Sequence, residues 1–252
     1  MSMKIAFNTA NLVGEHTGWR FSLAEWGMQD ALTVQRTTDE AFAAMCRRIR
    51  ESGYEAVELW RAHVEPSKVN ESRGRVLRDI LQEHCLVPVA LAGPLNQETA
   101  RVCKLLGIGR CCGWMPPGET ASVERLMRET GIDFCYENHP ETTVEEIRRR
   151  VVPGGGLALD LGWLGTQGIN APAATGELAN VLRHVHLKDV KAAGGHETVA
   201  LGTGCVDVEG VIERLKADGY DGWYSWEDEP EDRNPYDIAA DMRVWIERHI
   251  GA

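Results

Sequence analysis

The chain has 252 residues, of which 43% are hydrophobic and 26% charged, fractions that exclude a disordered or fibrous protein. Acidic residues number 38 against 27 Lys and Arg, a formal net charge of −11. Such a field repels phosphate backbones and so disfavours a nucleic-acid partner. No apolar run approaches the ~20 residues needed to cross a bilayer, so no membrane association is expected.

Met1-Ser2-Met3-Lys4 leads straight into a first expected strand, Lys4–Ala10, without the charged region and long apolar stretch of an export signal. Residues 11–37 then form a long connection carrying Trp19, Phe21 and Trp26, and Thr38-Asp39 opens a helix over Glu40–Ser52. A strand over Glu55–Trp60 precedes a helix that starts near Ser72 and runs to His84. The next strand, Leu86–Ala92, is weakened by Pro88, which cannot donate to a ladder. Asn96 opens a helix to Leu106, and Arg110–Trp114 reads as a strand. Ser122 opens a helix to Thr130, ahead of a strand at Asp133–Glu137. Thr142-Thr143 caps Val144–Arg150, and Gly154-Gly155-Gly156 turns into a strand at Leu157–Leu161. A weaker helix covers Gly176–Arg183, before a strand at His184–Leu187 and a long loop over residues 190–206. Asp207 begins a helix over Val208–Ala217, Trp223–Glu227 is the last strand, and Pro235 precedes a last helix through His249.

Eight short strands, each followed by a helical segment, in about 250 residues predict a single (β/α)8 TIM barrel over residues 1–252. The two long loops then lie on the C-terminal face, where loops build sites. Seven cysteines without a C-x-x-C pair read as reduced, mostly packed thiols, which points to the cytoplasm.

The strongest chemical signal sits at four consecutive strand ends. Glu137, Asp160, His186 and Glu227 each close an apolar run. Buried carboxylates there must be desolvated, at a cost of several kcal/mol each. Three such acids converging at one barrel mouth call for a cation. An O/O/O/N donor set suits a divalent ion, Mn²⁺, Mg²⁺ or Co²⁺, with Zn²⁺ as the borderline choice.

These pieces resemble the xylose isomerase-like barrels, a family of sugar isomerases, ketose 3-epimerases and inosose dehydratases that includes the type IV AP endonucleases. The matching motifs are Val57-Glu58-Leu59-Trp60, Glu137-Asn138-His139, Leu159-Asp160 and His186-Leu187-Lys188-Asp189. After them come Leu201-Gly202-Thr203-Gly204-Cys205-Val206-Asp207 and Gly219-Tyr220-Asp221-Gly222-Trp223, the latter leading to Glu227. The resemblance implies that Glu137, Asp160, His186 and Glu227 hold one metal, Mn²⁺ foremost. It also implies that Glu137 and Glu227 are the catalytic pair that moves a proton through a metal-stabilised enediolate of a sugar or keto-sugar. A divalent-metal-dependent isomerase or epimerase is the activity expected. A dehydratase or lyase of a keto-inositol or keto-sugar is the main alternative. An AP endonuclease, which needs further histidines, and a non-catalytic sugar-binding barrel rank below it. The partner is a small sugar or polyol, and homo-oligomers are common among relatives.

Substrate-facing roles fall to His63, His139, Lys188, Trp19 and Trp163. His139 reads equally as a loop histidine before Pro140, Trp19 as loop or dimer packing with Phe21 and Trp26, and Lys188-Asp189 as an ordinary ion pair. Trp163 stands three residues after Asp160, where many relatives carry a histidine. Glu229, in the acidic run Glu227–Asp232, reads as part of a solvated loop.

Overall fold

The computed structural model describes residues 3–251. Met1, Ser2 and Ala252 lie outside the described residues, and with them the first two residues of the start considered above. Eight parallel strands close on themselves: β1 (Ile5–Asn8), β2 (Ala56–Trp60), β3 (Val87–Ala92), β4 (Arg110–Gly113), β5 (Asp133–Glu137), β6 (Gly156–Asp160), β7 (Leu182–Leu187) and β8 (Trp223–Trp226). Each neighbours the next in chain order, and β1 pairs with β8 to complete a (β/α)8 barrel.

Side chains alternate across each strand. Phe7, Val57, Leu59, Phe134, Tyr136, Leu157, Leu159, Val185 and Leu187 belong to the main buried core under the helices. The intervening positions face the lumen, where Ala90, Cys112, Cys135 and Ala158 form a cluster of small side chains. Pro88 is accommodated by an irregularity: Val57 pairs with Pro88 but Glu58 with Ala90, so Val89 is an extra residue at that point.

Most helices begin at expected caps. Thr38 accepts from Ala41 N at 3.2 Å ahead of Asp39–Glu51, and Thr143 with Glu146 forms a capping box on Val144–Arg150. Asp207 accepts from Gly210 N at the start of Val208–Ala217. Two starts differ from the sequence reading. The helix expected from Ser72 begins at Glu71 with Asn70 as its cap, and the one expected from Ser122 begins at Thr120. The weak helix at Gly176–Arg183 is displaced to Ala171–Leu178. Asn170 caps it and Pro172 sits in its first turn, while Leu182 already belongs to β7.

The two long loops carry structure of their own. The first holds short helical turns and a helix, Trp26–Arg36, that pattern reading left as connection. The second folds into a small antiparallel ribbon, Asp189–Val190 with Thr198–Val199. All seven cysteines are free thiols, five of them buried. No helix among the described residues is long and apolar enough to cross a membrane.

Candidate active site

The strand β7 organises the barrel mouth. Its period of two sends His184 and His186 into the lumen, and Lys188 follows on the same face. Asp160 on β6 and Ser225 on β8 are the cross-strand partners of His186. Glu137 ends β5, and Glu227 stands one residue beyond β8. The sequence-predicted ligand set therefore meets: donor atoms of Glu137, Asp160, His186 and Glu227 lie within 4.8 Å of one another.

Glu58 from β2 reaches across the lumen beneath this set, fully buried. Its Oε2 lies 2.8 Å from His184 Nε2 and 3.1 Å from His186 Nε2. Burial works against its ionisation, but the imidazoles of His186 and His184 outweigh it and hold the carboxyl well below the usual range. An ionised carboxylate only accepts, so both Nε2 atoms carry the hydrogen. The Nδ1 of His186 is left facing the mouth.

That Nδ1 lies 2.7 Å from Glu137 Oε1 and 2.8 Å from Glu227 Oε2, yet it is aligned for a hydrogen bond with neither. Burial disfavours an imidazolium here, but the carboxylates of Glu58, Glu227 and Glu137 overcome this and raise the His186 pKa well above normal. A nitrogen crowded by two carboxylates, its far side fixed by a third, is what a divalent cation would resolve. Such a cation would be held by the His186 Nδ1 lone pair in place of a proton and would neutralise the acids around it. The residues present fit such an ion.

The surrounding groups are equally specific. Asn8 donates to Glu227 Oε2 at 2.8 Å. Asn138 locks the end of β6 by accepting from Asp160 N at 2.7 Å and donating to Asp160 O at 3.0 Å. Lys188 Nζ reaches Asp160 Oδ2 at 3.5 Å, Glu227 Oε1 at 3.1 Å and Glu229 Oε2 at 2.5 Å. Burial raises the Asp160 carboxyl despite Lys188, whereas Lys188 and His186 overcome burial and hold Glu227 low. At Glu137 burial is likewise outweighed, by His186 and His139, which keep it ionised. His139 Nε2 sits 3.3 Å from Glu137 Oε2, and its ring packs 5.2 Å from Trp163.

Above the acids opens a cavity of about 630 Å³. His139, Trp163 and Lys188 line it; Trp19 and His63 do not. Trp19 packs edge-on against Tyr236 with ring centroids 6.3 Å apart, and His63 is buried beside Thr9, its Nδ1 3.1 Å from Thr9 Oγ1. Asp189 does not pair with Lys188, whose partners are Asp160, Glu227 and Glu229. It accepts backbone N–H groups of Gly202, Gly204 and Val206 at 2.8–3.1 Å and so holds the glycine turn. Glu229 is not part of a solvated loop: it is tucked against Lys188 and lines the cavity. Sequence reasoning assigned no role to Glu58, His184 or Asn8. The alternation His184-x-His186-x-Lys188 was the available signal for the second of these.

A parallel barrel with acids and a histidine converging at its C-terminal mouth places the chain among the (β/α)8 barrels, which carry their sites at that end. Within that class, the chain belongs to the xylose isomerase-like TIM barrel family, whose model matches residues 118–249, just over half of it. Two curated relatives are inosose dehydratases. That of Clostridium beijerinckii is 29% identical over 153 residues, covering 50% of this chain and 51% of the relative. That of Geobacillus thermodenitrificans is 31% identical over 152 residues, with the same coverage of each. The chain thus spans about half the length of the curated relatives it matches.

Solved structures share the fold. The probable 3-DHS dehydratase of Bacillus anthracis superposes with a TM-score of 0.71 at 15% identity, over 98% of this chain and 100% of that one. The D-allulose 3-epimerase of Methylomonas sp. gives 0.70 at 16% identity, over 98% and 97%. The 3-keto-D-glucoside 4-epimerase of E. coli gives 0.65 at 17% identity, over 98% and 100%.

Proposed function

We propose that this chain is a divalent-metal-dependent enzyme that moves a proton next to the carbonyl of a keto-sugar or keto-inositol, acting as an isomerase or epimerase. The carrying observation is the convergence of Glu137, Asp160, His186 and Glu227 around a histidine nitrogen that has no hydrogen-bond partner. These four residues would hold the ion, Mn²⁺ foremost for an oxygen-rich set with one nitrogen. When bound, it would draw charge from the substrate carbonyl oxygen and acidify the adjacent C–H.

Glu137 is the base. His186 and His139 keep its carboxylate ionised, and His139 is placed to take up hydrogen bonding as Glu137 gains the proton. Glu227, held in place by Asn8, takes a proton relayed from the Glu229 carboxyl through Lys188 and delivers it at the same or the neighbouring carbon, while Glu137 releases the abstracted proton to solvent. Trp163 and His139, packed together at a tilt, line the cavity as a wall against which the sugar ring would lie.

Loss of water is a second reading, and one observation favours it. Lys188 joins Glu227 to Glu229, and burial pushes the Glu229 carboxyl up to about 8 against the pull of Lys188. A protonated carboxyl or ammonium beside Glu227, across the site from the base, suits a departing hydroxyl. The similarity to inosose dehydratases points the same way.

Metal content by mass spectrometry comes first: one divalent ion per chain in the wild type, lost in His186→Ala, is the expected result. No ion after incubation with Mn²⁺ would overturn the proposal. Keto-sugars incubated in heavy water then separate the readings. Deuterium gained at unchanged composition marks the isomerase, and a product lighter by one water marks the dehydratase. Glu137→Gln should slow either outcome by about 10²–10⁴-fold, the usual contribution of a positioned base.

A further inference from the structure

Strand order divides the barrel mouth into two halves. β5 to β8 carry the acids, Lys188 and His186, while β1 to β4 lie across the lumen from them. The cavity wall on that opposite half is built from Phe21, Trp26, Trp60 and Trp114 with backbone and small side chains between them. Apart from the indole N–H donors, Asn8 and Arg61 are the only polar side chains that the first four strands and their loops contribute to this wall among the described residues. Both are committed elsewhere: Asn8 to Glu227 at 2.8 Å and Arg61 to Asp30 at 2.5 Å.

This wall is held open. Trp26 and Trp60 pack with ring centroids 5.2 Å apart, and Phe21 meets Trp26 at 6.0 Å. The Arg61–Asp30 pair clamps helix Trp26–Arg36 to the residue after β2. Phe21 N donates to Glu231 O at 3.0 Å, tying the same loop to the segment after β8. Trp114, 40% exposed, leaves its ring accessible.

A single sugar ring finds its polar partners on the acid half and does not fill about 630 Å³. Against the aromatic half a second polyhydroxylated ring would meet indole faces and N–H donors but no free acceptor side chain, so most of its hydroxyls would lose water without a partner. An apolar flat ring loses nothing there and gains stacking and burial. We propose that the aromatic half is a subsite for an aryl group, so that the substrate is a keto-sugar joined to an aromatic ring. This inference rests on the reading of the acid half as the keto-sugar site.

The test uses paired probes: phenyl and methyl β-D-glucosides, and phenyl and methyl β-D-galactosides, titrated calorimetrically into the Mn²⁺-incubated protein. The expected result is that the phenyl member of at least one pair binds about tenfold or more tightly than its methyl partner. Trp26→Leu and Trp60→Leu should each abolish most of that preference. Equal affinities in both pairs, no binding by any probe, or a preference untouched in both variants would overturn the proposal. Mn²⁺ binding, measured on the same samples, separates the two readings. Its loss in the wild type sinks the keto-sugar site, whereas intact Mn²⁺ binding without an aryl preference sinks the subsite alone.

Discussion

Glu58 carries its charge in the lumen with no solvent contact, and among the described residues the two Nε2 atoms of His184 and His186 offset it. The carbonyl oxygen of its amide analogue can still accept from both, but the NH₂ group then takes the place of Oε1, 3.2 Å from His186 Nε2, where it opposes a hydrogen on that nitrogen. Glu58→Gln therefore frees His186 to keep its hydrogen on Nδ1, the atom that faces the four-residue cluster. Mn²⁺ affinity should fall by about 10–100-fold, as for other outer partners of ligating histidines. Calorimetric titration of variant and wild type checks this, and an unchanged affinity would show that Glu58 does not set the tautomer. His63 offers a prediction away from the site. Burial foremost, with His16 adding to it, pushes its pKa down to about 3. The unfolded chain protonates this imidazole near pH 6.5 and the folded chain only near 3, so between those values the unfolded state binds more protons. From this residue, stability is constant above pH 6.5 and falls as pH drops through the window, by up to ~1.4 kcal/mol per unit. Urea denaturation at pH 7, 6, 5 and 4 should show a shallower decline for His63→Asn. The four strand-end residues were legible because a charged residue closing an apolar strand has few other uses. Glu58 was not: a single acid inside a strand identifies itself only once the lumen face is known.

At the scale of elements, the eight strands were readable because each is a short apolar run bounded by glycine or a cap, and the lumen and core faces both exclude water. Helix Trp26–Arg36 was missed because only Gln29 and Thr33 are buried along it, so it has no apolar stripe to read. The helix at Ala171–Leu178 was misplaced for a related reason: it is apolar nearly throughout, and its boundaries rest on Asn170 and Pro172 rather than on periodicity. The glycine turn after β7 was recognised as a motif, but its anchor was not. Asp189 holds that turn with three backbone N–H groups from Gly202, Gly204 and Val206. Hydrogen bonds to a charged group contribute about 1.5–3 kcal/mol each, though a loop regains part of that from water. Asp189→Ala should cost about 3 kcal/mol, which for a chain of this size lowers the melting temperature by roughly 6–12 °C. A melt followed by circular dichroism checks the size of the effect. A drop of less than a degree would show that the turn stands without its anchor.

Across the whole molecule the acids dominate, with a net charge of −11, and five of them crowd one mouth: Glu58, Glu137, Asp160, Glu227 and Glu229. Lys188 and His186 stand among them as cations, with His139 beside Glu137 and His184 beside Glu58. Separated unfolded carboxylates feel little of this repulsion, so the folded barrel carries a strain that a divalent ion held at the mouth would remove. An ion that binds the folded state alone, present at about 100 times its Kd, adds about 2.7 kcal/mol to stability. At ~2–4 °C per kcal/mol for a chain of this length, Mn²⁺ should raise the melting temperature by roughly 5–10 °C over protein treated with EDTA. The increment should survive at 0.5 M NaCl, because buried donors are screened far less than the surface charge. In His186→Ala it should vanish, whatever that substitution does to the melting temperature of the metal-free protein. An increment that salt abolishes, or that the variant keeps, would assign the effect to the acidic surface and remove the metal from the barrel mouth.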